Sequence, residues 1–61
     1  MYEVTFKRND MQPEEIYYYL EKQDAQYHFE LFRTDDSRLY KSITLSWRQN
    51  NEYTPLDIIN F

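Results

Sequence analysis

Glycine and cysteine are both missing from this 61-residue chain, and histidine occurs once, as His28. Each absence excludes something. Phosphate-cradling loops, dinucleotide fingerprints and nucleophile elbows need glycine where the backbone turns sharply or approaches a ligand. Without cysteine there is no disulfide and no thiolate metal site, and the redox compartment stays open. No apolar run approaches membrane-spanning length, and the opening stretch Met1–Arg8 lacks a basic-then-apolar leader pattern. A cytoplasmic protein without a membrane partner is the expectation. Exact repeats and low-complexity segments are also missing.

Aromatics are what the chain has in abundance: seven Tyr, four Phe and one Trp. Tyr and Trp combine a large stiff contact area with one polar handle, which suits interfaces as well as cores. Seven basic and eleven acidic residues give a net charge of −4. The acids gather early, with Asp10, Glu14, Glu15, Glu21 and Asp24 set against Lys22. Further along, Arg33, Arg38, Lys41 and Arg48 outnumber Glu30, Asp35 and Asp36. An acidic whole argues against duplex nucleic acid, whose binding runs on clustered cations. Ordering so short a chain costs on the order of 90 kcal/mol at about 1.5 kcal/mol per residue, which a small core barely offsets. A partner chain or a homo-oligomer is therefore a natural expectation.

The spacing predicts a single small α+β domain over residues 1–61. Tyr2, Val4 and Phe6 alternate with Glu3, Thr5 and Lys7, which is the period of a half-buried strand. Pro13-Glu14-Glu15 reads as a helix start, with Ile16, Tyr17, Tyr19 and Leu20 on one arc and Tyr18 on the acidic opposite side. That helix should end near Gln23-Asp24. A hairpin is expected next. Tyr27, Phe29 and Leu31 alternate on one arm, and Leu39, Ile43, Leu45 and Trp47 on the other. Both apolar sets are odd-numbered, so the loop must hold an odd number of residues: three (Asp35–Ser37), which base rates favour, or five (Asp35–Leu39). Without glycine, Asn9-Asp10, Asp35-Asp36 and Asn50-Asn51 are the natural places for positive φ. Thr54-Pro55 opens a short C-terminal helical turn, although Ile58-Ile59 also suits a strand. The expected architecture is β-α-β-β plus that turn: a single-layer antiparallel three-stranded sheet, order 1-3-2, with one helix packed on one face.

No constellation for catalysis emerges. His28 and Glu30 would share a strand face, but two ligands do not make a metal site. Ser37, Ser42 and Ser46 read as polar strand and turn positions. Glu14 and Glu15 diverge on a helix and read as complements of its dipole. No catalytic residue, metal or cofactor is expected. Phe32 and Tyr40 would oppose each other on the uncovered, polar sheet face, with Arg33, Arg38 and Arg48 near them. The expected partner-binding residues are Phe32, Tyr40, Tyr18, Trp47 and Arg48. The expected function is a non-enzymatic protein-binding module, a small acidic regulator or inhibitor of the phage type, acting through exposed aromatics and an acidic helix. Single-stranded nucleic-acid binding on the open sheet face is the alternative, with bases stacking on strand aromatics. A structural homo-oligomer is the third reading.

Overall fold

A computed structural model describes every residue from Met1 to Phe61. Its elements are β1 (Tyr2–Arg8), β2 (Glu15–Tyr19), α1 (Lys22–Leu31), β3 (Tyr40–Gln49) and β4 (Glu52–Asn60). The class is α+β, but the sheet has four strands, in the order β2-β1-β3-β4, and all neighbours are antiparallel. This corrects the expected three-stranded sheet and most of its segmentation.

The expected helix over residues 13–23 is largely replaced by β2. Its sequence, Glu-Ile-Tyr-Tyr-Tyr, is rich in the β-branched and aromatic types that suit a pleated surface. Period two sends Tyr17 and Tyr19 to one face and Ile16 and Tyr18 to the other. The expected first arm of the hairpin is α1. Ala25, His28, Phe29 and Phe32 recur at i, i+3, i+4 and i+7, a helical stripe hidden beneath the alternation of Tyr27, Phe29 and Leu31. Ala25 and Phe29 are fully buried, whereas Tyr27 and Leu31 are 69% and 57% exposed. Ten residues make a helix too short to be stable alone, and its N-cap, Glu21, makes no side-chain cap bond. Packing of that stripe against the sheet is what holds it.

The expected hairpin between residues 27 and 48, with its three- or five-residue loop, therefore does not form. A tight hairpin instead joins β3 to β4 through Asn50-Asn51, with Gln49 opposite Glu52, and a longer loop joins β1 to its antiparallel neighbour β2. The tail is strand throughout rather than a helical turn, because β3 offers it a full edge. Ile59 pairs with Ile43 and enters the core. Loops do fall at the three Asn/Asp doublets, yet only Asn50 among those residues takes a positive φ (55°). The other two left-handed residues are Met11 and Arg38, both at 62°.

β2 and β3 lie on either side of β1 and run parallel to each other, so α1 carries the chain across β1. The core sits between α1 and one sheet face: Val4 and Phe6 from β1, Ile43 and Leu45 from β3, Ile59 from β4, Ala25 and Phe29 from α1. Tyr2, Tyr19, Phe32 and Tyr40 pack around it. The other sheet face carries no covering layer. The long outer edge of β4 is blunted in two ways: Pro55 has no N–H to offer, and the Ile58 N–H donates to the Asp57 carboxylate at 2.8 Å.

Candidate functional site

The uncovered face is built by register. One row across the four strands reads Ile16, Thr5, Thr44, Ile58, and the next reads Tyr18, Glu3, Ser46, Pro55. The edge strands thus carry apolar side chains and the two central strands carry hydroxyls and charge. Ile16 and Tyr18 form one rim; Tyr53, Leu56 and Ile58 form the other. All five are between 42% and 58% exposed. Between the rims lies a polar trough. A cleft of about 300 Å³ in it is lined by Glu3, Thr5, Lys7, Thr44, Arg48 and Tyr53, among others.

Glu3 anchors the trough. It is 3% exposed, and Arg48 Nε donates to its Oε1 at 2.6 Å. Burial of a carboxylate needs such a partner. The hydrogen bond it donates to Glu3 is the leading reason the Arg48 guanidinium is held more firmly protonated than usual. Arg48 also lies over the Tyr53 ring, 5.3 Å from its centroid, and its two terminal nitrogens make no hydrogen bond. At the far end Lys7 meets Glu14 loosely, at 3.9 Å, both side chains about half exposed. Beneath the surface, Ser46 is fully buried and its Oγ has no hydrogen-bond partner.

The helix side has a different character. His28 packs on Phe6, Tyr17 and Phe32, and its Nδ1 lies 2.6 Å from the Tyr19 hydroxyl. With the imidazole neutral and its proton on Nε2, that hydroxyl donates to Nδ1. Burial among the rings pushes the His28 pKa down. On the adjoining edge Arg8 clamps the loop between β1 and β2 by bonding Asp10 and Glu15. The Arg8 hydrogen bond holds the Asp10 carboxyl at about 2.

The residues singled out from sequence fall in two places. Tyr18 and Arg48 stand on the open face. Phe32 and Tyr40, expected there as an opposed pair, are instead on the core side, their rings 5.0 and 5.1 Å from that of Phe6. They still meet each other, edge to face at 5.8 Å. Trp47 also faces the helix side, packed on Tyr2 at 4.5 Å. Because residues 27–31 are helical, His28 and Glu30 diverge rather than share a strand face. Glu30 pairs with Arg33, while His28 turns inward. The acidic helix is not present either: of Asp10, Glu14, Glu15, Glu21 and Asp24, only Asp24 lies within α1. Ile16, Glu3, Tyr53, Leu56 and Ile58 were missed. For Ile16 the signal was the alternation in residues 15–19, and for Tyr53, Leu56 and Ile58 the strand-forming residues of 53–59, both masked by helix-start readings of Pro13 and Pro55; Glu3 was legible as an outward position of β1 but not as the partner of Arg48.

No group of three or more His, Cys, Asp and Glu side chains gathers at metal-ligating distance, and no helix is long and apolar enough to cross a membrane. No family model matches the chain, and comparison with curated proteins and with solved structures finds no match.

Proposed function

We propose that this chain is a non-enzymatic, cytoplasmic protein-binding module that engages its partner through the open sheet face. The observation that carries the reading is the five-residue apolar rim on a sheet face that has no covering layer. A three-layer arrangement buries both faces of a sheet, and here the third layer is missing within the chain. Large exposed apolar groups gathered on one face mark interaction surfaces, whereas scattered ones do not. Tyr18, Tyr53 and Arg48 are of the types that dominate binding energy at interfaces. Phe32, Tyr40 and Trp47 support that face from the other side of the sheet rather than line it. A regulator or inhibitor role fits a small acidic module of this kind.

The test is a tagged pull-down from lysate of the source organism, or of its host, with and without nuclease. It compares the native chain with an Ile16→Asp/Ile58→Asp variant whose circular dichroism matches. A near-stoichiometric protein that survives nuclease and is lost with the variant is the expected result. Equal recovery by both chains refutes the use of this face. Recovery that depends on intact nucleic acid would transfer the function to nucleic-acid binding.

A further inference from the structure

The sheet has two edges, and only one of them is protected. Natural edge strands are blunted by proline, lysine, other charges or bulges. β4 has Pro55, an Ile58 N–H turned onto Asp57, and a register shift in its pairing with β3 at Leu45/Ser46. β2 has none of these. Its sequence, Glu15–Tyr19, holds no proline or lysine, and its pairing with β1 runs without a shift. Its one charge, Glu15, is already bonded by Arg8 at 3.2 Å and by the Tyr17 hydroxyl at 3.0 Å. Ile16, Tyr17 and Tyr18 are all exposed.

The ladder fixes which backbone groups this edge offers. The Met1 amino group donates to the Arg48 carbonyl at 3.0 Å, and the Arg48 N–H donates to the Met1 carbonyl at 2.8 Å. Met1 and Arg48 are therefore a hydrogen-bonded pair, and such pairs alternate along an antiparallel ladder. Glu3 and Thr5 continue that set towards β3. Tyr2, Val4 and Phe6 accordingly turn their backbone groups to β2, where they meet Tyr19, Tyr17 and Glu15. Ile16 and Tyr18 are left with N–H and C=O groups directed away from the sheet, and these make no hydrogen bond within the chain.

We infer that β2 pairs antiparallel with β2 of a second copy of this chain, Tyr17 opposite Tyr17 on the two-fold axis. The two four-stranded sheets become one of eight strands. This register uses every free group of the edge. Ile16 of each copy falls opposite Tyr18 of the other, and each of those pairs exchanges two hydrogen bonds. Sliding the strands to put Ile16 opposite Ile16 would set Tyr18 against Glu14, outside the strand. Putting Tyr18 opposite Tyr18 would set Ile16 against Leu20, also outside it.

The side chains suit the same register. Aromatic–aromatic and aromatic–β-branched pairs are favourable across strands, and like charges directly opposite are not. Tyr17 meets Tyr17 at the close spacing of a non-hydrogen-bonded pair, and Ile16 meets Tyr18 twice. Glu15 falls opposite Tyr19 and Glu14 opposite Leu20, so no acid faces an acid although each chain carries a net charge of −4. A two-fold contact is isologous and closes at two copies. It also leaves β4, the blunted strand, at both ends of the joined sheet, which stops further addition. The contact uses the backbone edge of β2 and is independent of what engages the open face.

The test is analytical sedimentation of the native chain and of Tyr18→Pro, with a cysteine series beside it. Proline at position 18 removes an N–H that bonds nothing within the chain, so circular dichroism should stay native while the pairing is lost. So short an edge makes a contact at the small end of interface sizes. The native chain should therefore sediment as a dimer at about 1 mM and dissociate on dilution to about 1 µM, whereas Tyr18→Pro stays monomeric throughout. The chain has no cysteine of its own, so single substitutions read the register. Tyr17→Cys should cross-link to a covalent dimer on mild oxidation, its two Cα atoms about 4.5 Å apart. Ile16→Cys and Tyr18→Cys should each fail alone, being more than about 7 Å from their own counterparts, and should cross-link when mixed. A native chain that is monomeric at about 1 mM overturns the inference. So does a dimer that folded Tyr18→Pro leaves intact, or equal cross-linking by all three cysteine variants. If Tyr18→Pro does not fold, the cysteine series decides. A monomer that loses its pull-down protein through Tyr18→Pro also overturns it, by giving the edge to another protein's strand. The Ile16→Asp/Ile58→Asp pull-down reads the open face separately, and its failure leaves the cross-linking result standing.

Discussion

Phe29 separates the helical reading of residues 22–31 from the strand reading with a single substitution series. In a strand, Tyr27, Phe29 and Leu31 would share one face and one fate. In α1, Phe29 is fully buried against Val4, Phe6, Ile43 and Leu45, whereas Tyr27 and Leu31 are mostly exposed. Removing a buried Phe ring to Ala costs about 3–5 kcal/mol from lost transfer energy and the residual cavity. A chain of this length carries roughly 3–9 kcal/mol of total stability at about 0.05–0.15 kcal/mol per residue. Phe29→Ala therefore consumes from about a third of it to all of it. With a urea dependence of about 1 kcal/mol per molar for so small a chain, the midpoint should drop by about 3 M, or the variant should be unfolded in buffer. Phe29→Leu nearly conserves volume and should cost only about 1 kcal/mol, which keeps the series measurable. Tyr27→Ala and Leu31→Ala should stay within about 0.5 kcal/mol of the native chain. Urea titrations followed by Trp47 fluorescence and far-ultraviolet circular dichroism read all four. A Tyr27→Ala loss equal to that of Phe29→Ala would refute the helical stripe.

Three further outcomes are expected. Ser46→Ala should stabilise by about 1 kcal/mol, since it removes a buried hydroxyl that has no partner; thermal melts that show a loss instead would mean the hydroxyl is satisfied. Met11→Asn should add up to about 1 kcal/mol in the same assay, because Met11 is 97% exposed and held at a φ of 62° that Asn tolerates better. His28 has a folded pKa below its ordinary value, so its contribution to stability is present above about pH 6.5 and is lost as the pH falls below it, when the unfolded chain takes up the proton first. Denaturant melts of the native chain and His28→Gln between pH 7.5 and 5 should show the native chain losing stability the more steeply on acidification.

The aromatic abundance that drew attention to interaction also obscured the segmentation. Ile16, Tyr17, Tyr19 and Leu20 satisfy a helical arc, yet the same stretch alternates as β2. Tyr27, Phe29 and Leu31 alternate, yet Ala25, His28, Phe29 and Phe32 form the helical stripe that packs. When large apolar residues are this dense, both periods find matches, and without glycine there is no strong punctuation to arbitrate. The open face suffered accordingly. Tyr18 and Arg48 were placed among the contact residues, but Ile16, Tyr53, Leu56 and Ile58 needed β2 and β4 to be recognised as strands.

The sequence by itself determined the α+β class, the inward face of β1 with Tyr2, Val4 and Phe6, and the loops at Asn9-Asp10, Asp35-Asp36 and Asn50-Asn51. These follow from local signals: composition, a short clean alternation, and residues that favour turns. Tertiary structure decided which remaining segments became strand and which became helix. An edge strand such as β2 gets its backbone hydrogen bonds only from β1, and β4 only from β3. Each partner is the preceding strand in the chain, yet no period within β2 or β4 announces it, and the long-range pairing of β1 with β3 is what joins the two pairs into one sheet. The same pairing set Ile16 and Ile58 at the two ends of one row, and with them the trough on which the proposed function rests.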